Sequence, residues 1–196
     1  MKHLLWVNAC MRGEELSRTY RLCRAFLDEW KVNAPDTEIT ERDLTGASLP
    51  IMTSQLSKER DEAVKRGELD LALLAPAREF ASADIIVIGA PYWDLLFPAA
   101  LKVYLEWVSA IGITFRYTNE GVLQGLCKAK KLIYITTAGG PVQGQNFGFD
   151  YVAALGRMFG ISDCECVAAE NLDVFGVSVE DILEQAQSQL KEIARK

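Results

Sequence analysis

The chain has 196 residues, 49% hydrophobic and 24% charged, which suits one packed domain (residues 1–196) and argues against wholesale disorder. Its formal net charge of −6 disfavours nucleic acid, because a phosphate-backbone partner needs a basic face. No apolar run is as long as a membrane span, and Met1-Lys2-His3 leads into LLWVNA without a small-residue cleavage site, so neither a membrane anchor nor a signal peptide is expected.

The first predicted strand is LLWVNA, Leu4–Ala9, followed by NACMRGEELSRTYRL. A helix starting near Ser17 would direct free N–H groups and its positive dipole end at whatever lies beyond the strand. Ser17 and Thr19 add hydroxyls and Arg18 a charge, so the segment is a candidate cradle for one phosphate. A plain helix cap with a solvated arginine accounts for the same residues. The segment is neither GxGxxG nor a Walker loop, which leaves a dinucleotide fold or an NTPase unsupported. Tyr20, Cys23, Leu27 and Trp30 then recur at helical spacing.

TEITERDL, Thr37–Leu44, alternates as an edge strand does. Residues 54–83 read as a charged helical region interrupted at Gly67 and Pro76. DIIVIGA, Asp84–Ala90, is a third strand, continuously apolar like the first, as parallel strands covered on both faces are. It runs into APYWDLLFP, where Pro91 and Pro98 bracket Tyr92, Trp93, Asp94 and Leu95. Aromatics beside exposed amides suit the rim of a flat heteroaromatic ring, and packing under the next helix is the competing reading. That helix runs from Pro98 towards Gly112. KKLIYITTA, Lys130–Ala138, is the fourth strand, and TTAGGPVQGQNFGF follows it. There Gly139-Gly140 permits close backbone approach to a ligand, and Thr136 and Thr137 carry hydroxyls, although glycine pairs also make ordinary turns. DCECVAAE, Asp163–Glu170, is the fifth strand, and a helix capped near Ser178 ends the chain.

Strict β/α alternation implies a parallel sheet with right-handed crossovers, and ligands bind beyond the carboxyl ends of such strands at the switch point of their order. The tips of strands one, three and four are therefore the places to look. The cysteines, Cys10, Cys23, Cys127, Cys164 and Cys166, are odd in number and include no CxxC pair, which points to reduced thiols in the cytoplasm and to no metal site. His3 is the only histidine, so histidine-based acid–base chemistry is not expected.

The stretch from Ala90 to Gly140, most specifically GITFRYT followed by the lysine pair and the Gly-Gly turn, resembles the FMN-dependent NADH-azoreductase family of flavodoxin-like quinone and azo reductases. Weaker similarity covers nearly the whole chain. The resemblance implies an α/β, flavodoxin-like, doubly wound five-stranded parallel sheet in order 2-1-3-4-5. It also implies one FMN per subunit, NADH or NADPH as donor, an aromatic small-molecule acceptor, and a homodimer with sites at its interface. By position, Ser17, Arg18 and Thr19 match the family's phosphate-binding segment, and Cys10 stands where a serine is usual. Tyr92, Trp93, Asp94 and Leu95, after Pro91, match a loop against the isoalloxazine. Thr137, Ala138, Gly139 and Gly140 match the loop at its pyrimidine end, and Tyr117 matches a tyrosine bordering the substrate pocket.

Asp94 stands in place of an asparagine and Ala138 in place of a frequent arginine. Both changes oppose negative charge on the reduced ring, so a lower flavin potential than is usual in the family is expected. The expected activity is ping-pong hydride transfer to quinones, azo compounds or nitroaromatics. A flavodoxin-type electron carrier and a flavin-free interaction or sensor protein are the alternatives on the same fold.

Overall fold

The structure, a computed structural model, describes residues 2–46, 49–142 and 144–195; Met1, Ala47, Ser48, Gln143 and Lys196 lie outside this description. Strand β1 (His3–Asn8) is followed by a short helix α1 (Gly13–Leu16), the long helix α2 (Arg18–Asn33) and strand β2 (Glu38–Asp43). Helices α3 (Ser54–Lys65) and α4 (Ala75–Ser82) precede β3 (Ile85–Gly89), and α5 (Ala99–Val108) follows it. A small hairpin of β4 (Phe115–Tyr117) and β5 (Leu123–Gly125) leads to β6 (Lys131–Thr137), α6 (Phe147–Met158), β7 (Asp163–Ala169) and α7 (Val179–Ala194).

The main sheet has the order β2-β1-β3-β6-β7, all neighbours parallel. Counted among its own strands that is 2-1-3-4-5, the expected flavodoxin-like arrangement. Side chains alternate across it with period two. Leu5, Val7, Ile86, Ile88, Leu132 and Tyr134 pack with Phe80 of α4, Leu101, Tyr104 and Leu105 of α5 and Val152 of α6. Leu4, Trp6, Ile85, Val87, Ile133 and Ile135 pack on the other face with Leu22, Phe26 and Leu27 of α2 and Leu183, Leu190 and Ile193 of α7. Both faces are covered, so the central strands could be apolar throughout.

The charged region breaks where its punctuation lies. α3 ends before Gly67, whose φ of +72° is a left-handed turn, and α4 starts with Pro76 in its first turn, where a missing N–H costs little. α5 stops at Val108, short of Gly112, because Ser109–Gly112 turns into the hairpin. Neither the hairpin nor α1 was predicted, since strands of three residues and a helix of four are too short to set up a periodicity. Among the described residues no helix is long and apolar enough to cross a membrane.

Gly89 decides how α2 meets the sheet. A Cβ at this position would stand 2.4 Å from the Cys23 sulfur, so glycine lets the helix lie close against the β3 tip. That brings the start of α2 over the ends of β1 and β3.

Candidate functional site

A cleft opens at the carboxyl edge of the sheet. It is lined by Arg12, Leu16, Ser17, Arg18 and Thr19 from the first turn, Pro91, Tyr92 and Trp93 from the third, and Thr137, Ala138 and Gly139 from the turn after β6, with Leu172 and Asp173 beyond β7. Its enclosed part measures about 140 Å³. That is below the range of roughly 300–1,000 Å³ for pockets that engulf a drug-sized ligand, so a ligand of that size would be only partly enclosed.

The inner end is built for an anion. Ser17 is the N-cap of α2, its Oγ accepting from Tyr20 N at 3.2 Å, which leaves the N–H groups of Arg18 and Thr19 without a partner four residues back in the helix. Arg12 and Arg18 are the cations in the lining. Arg18 is not merely solvated: Nη1 donates to Leu172 O at 3.1 Å and Nη2 to Asp173 Oδ1 at 2.9 Å. Thr19 is fully buried and its hydroxyl meets that of Thr137 at 2.7 Å, fastening the start of α2 to the end of β6.

The outer rim is flatter. Tyr92 N donates to Thr137 O at 2.9 Å, joining the turn after β3 to that after β6, and the Tyr92 hydroxyl donates to Gln145 O at 3.1 Å. Trp93 is 39% exposed at this edge, not packed into the core. Trp93 and Leu96 are bridged as a two-residue hairpin, with Asp94 at φ +49° and Leu95 at φ +70°. Both values belong to the tight turn type that twists with its strands and favours Asn-Gly. Asp94 and Leu95 are exposed in this turn, and neither lines the cleft.

Other expected residues also stand outside the lining. Cys10 is wholly buried beneath it: its N–H donates to Asn8 Oδ1 at 3.0 Å and its sulfur faces Gly89 O at 3.7 Å. Gly140 is next to the cleft, its carbonyl accepting from Asn171 N at 3.2 Å. Tyr117 lies in β4, 57% exposed, with its ring edge-on to Phe115. Among the described residues that line the cleft, Asp173 is the only carboxyl, and there is no thiol or imidazole. Burial pushes the Cys127 and Cys166 thiols up to about 12 and holds Cys23 well above the ordinary thiol range.

Arg12, Leu16, Leu172 and Asp173 line the cleft without having been expected there. Arg12 and Leu16 lie in the turn already singled out. Leu172 and Asp173 follow the fifth strand, and only the tertiary structure shows that this turn curls back: Leu172 N donates to Ala138 O at 3.1 Å and Asp173 N to Gly139 O at 2.8 Å.

The profile of the Flavodoxin_2 family, described as a flavodoxin-like fold, matches residues 2–194. The chain is 36% identical over 201 residues to an FMN-dependent NADH:quinone oxidoreductase 2 of Clostridium acetobutylicum, covering 100% of this chain and 99% of that one. It is 36% identical over 202 residues to an FMN-dependent NADH:quinone oxidoreductase of Clostridium perfringens, each chain covered in full. The crystal structure of an azoreductase from Bacillus anthracis superposes with a TM-score of 0.85 at 28% identity, covering 100% of this chain and 99% of that one.

Proposed function

As the chain belongs to the Flavodoxin_2 family, we propose that it is an FMN-dependent NADH:quinone oxidoreductase that also reduces azo compounds. The observation that carries this reading is the convergence of Ser17–Thr19, Pro91–Trp93 and Thr137–Gly139, from three separated stretches, on one cleft with a cationic inner end and an aromatic rim.

The residues present fit the cofactor. The first N–H groups of α2 with Arg12 and Arg18 suit a terminal phosphate. Thr137, Ala138 and Gly139 supply one wall for a ring, and Tyr92 and Trp93 border it. FMN, when bound, supplies the two-electron hydride chemistry. The chain binds and orients. Thr19–Thr137 and Tyr92–Thr137 hold the three turns in fixed relation, so the rim keeps its geometry as ligands exchange. Donor and acceptor use the same open rim in turn, a ping-pong order, and protons come from water there.

We further propose a homodimer in which Tyr117 faces the site of the second copy. Tyr117 is outside its own chain's cleft, and Trp93, Leu95, Ile111, Leu123 and Phe147 also expose large apolar surfaces. All of this is read as one domain, since strands from residues 3 to 169 share one sheet and the last helix packs on it. A cytoplasmic setting agrees with the five free cysteines.

The test is spectroscopic. The purified protein should bind FMN, lose its oxidised flavin absorbance when mixed anaerobically with NADH, and regain it when a quinone is added. Absence of flavin binding, or a flavin that NADH does not bleach, overturns the reading. Sedimentation of a monomer would reject the dimer alone.

A further inference from the structure

We propose that Asp173 sets how strongly the cleft prefers a phosphorylated flavin over an unphosphorylated one, by competing with the ligand's phosphate for Arg18. The inference rests on the flavin reading above and goes beyond it, because Asp173 lies outside the three turns expected to hold the cofactor.

The geometry is specific. Arg18 already spends two of its five N–H donors, Nη1 on Leu172 O at 3.1 Å and Nη2 on the Asp173 carboxylate at 2.9 Å. Asp173 is not free to drift away, since its N–H donates to Gly139 O at 2.8 Å. Its carboxylate lies over Gly139, where a Cβ would stand 2.3 Å from Oδ2. The side chains of Arg18 and Asp173 are 37% and 66% exposed, so the pair is half in water and weak enough for a ligand to replace.

Two effects of this carboxylate act on a phosphate and not on a neutral flavin. It occupies one edge of the guanidinium that would otherwise grip phosphate oxygens side-on. It also places a like charge at the cleft that the phosphate dianion enters. Arg12, the other cation of the lining, makes no ion pair among the described residues, so the offset falls on Arg18 alone. Riboflavin has the same ring and ribityl chain without the phosphate, which makes it the reference ligand.

The experiment is a fluorescence titration of the full chain, freed of co-purified flavin, with FMN and with riboflavin. Asp173→Asn should tighten FMN roughly two- to fivefold, the fold-change of a half-exposed charge pair, and leave riboflavin unchanged. The gain should shrink at high salt. Arg18→Gln should weaken FMN and shrink the response to Asp173→Asn in the double variant to the part that comes from the like charge alone. If FMN affinity in Asp173→Asn is unchanged or weaker, or if both flavins shift together, Asp173 is a structural latch and the proposal fails. If the unmodified protein binds neither flavin, the flavin reading itself fails; if it binds FMN and only the Asp173→Asn gain is missing, that reading stands and this one does not.

Discussion

The hydroxyls of Thr19 and Thr137 lie 2.7 Å apart and join the first turn of α2 to the last residue of β6. Thr19 is fully buried and Thr137 only partly so, which makes the pair unequal. Thr137→Val leaves a buried hydroxyl at Thr19 without a partner and should cost about 1–3 kcal/mol. Thr19→Val leaves Thr137 able to turn towards water and should cost about 1 kcal/mol or less. The double variant should lose less than the two singles together. Urea unfolding of the four proteins measures this, and a double-variant loss equal to the sum of the singles would show that the hydroxyls do not depend on each other.

The Trp93–Leu96 turn holds a leucine where glycine is favoured, Leu95 at φ +70°. A side chain in the left-handed region costs roughly 1–2 kcal/mol, of which the greater chain entropy of glycine returns part. Leu95→Gly should therefore stabilise the protein by about 0.5–1 kcal/mol in thermal unfolding. A loss of stability would mean that the exposed Leu95 side chain is buried against a second copy.

Gly139 and Asp173 are sterically coupled, because a Cβ at 139 would meet the Asp173 carboxylate oxygen at 2.3 Å and its Cγ at 3.1 Å. Gly139→Ala alone should push the carboxylate off Arg18 and lower the melting temperature. With Asp173→Ala already present, only Cβ at 3.4 Å remains, an ordinary contact, and the same change should cost little. Additive melting shifts would argue against the clash.

The low flavin potential anticipated from Asp94 depends on that carboxylate facing the ring. Asp94 is exposed and does not line the cleft, whereas Asp173 is the acid in its lining. Asp173→Asn should raise the midpoint potential of bound FMN by roughly 10–20 mV, since an exposed charge is worth up to about 1 kcal/mol and about 30 mV equals 1.4 kcal/mol for two electrons. Asp94→Asn should raise it less. Potentiometry of the three proteins decides, and a larger shift from Asp94→Asn would return the role to Asp94.

At the opposite edge of the sheet, Asp84 accepts from Lys128 Nζ at 2.8 Å and from His3 N at 2.9 Å, and these partners hold its carboxyl below the usual range, Lys128 foremost. A depressed folded pKa stabilises the protein fully above the unfolded value of about 3.9 and is lost as pH falls through the folded value. The stability gap between the protein and Asp84→Asn should be constant from pH 5 to pH 8, up to about 1 kcal/mol, and close on acidification below the unfolded value of about 3.9. A gap that persists at low pH would assign it to shape and not to charge.

Much of this molecule is legible locally. The apolar runs of β1, β3 and β6 state that they are covered on both faces, Ser17 and Ser178 mark helix starts, and Gly67 and Pro76 mark the break between α3 and α4. Alternation of these elements implies a parallel sheet and points to its carboxyl edge, so Ser17–Thr19, Pro91–Trp93 and Thr137–Gly139 could be placed at one site from their position after strands. Asp94 and Leu95 show the limit of that reasoning. They sit in the same loop as Tyr92 and Trp93, yet in a two-residue turn with both φ values positive they stand outside the lining, and nothing in Asp-Leu announces such a turn.

The sequence by itself determined the order of the elements, the buried faces and the three turns that meet at the cleft, because those follow from periodicity and from single residues acting on their own backbone. Only the tertiary structure decided that Arg18 is already held by Asp173, 155 residues further on, and that Cys10 lies beneath the cleft instead of in it. Such contacts depend on how two distant turns pack and on whether a glycine, here Gly89 or Gly139, lets them approach, and no periodicity in the chain encodes that distance.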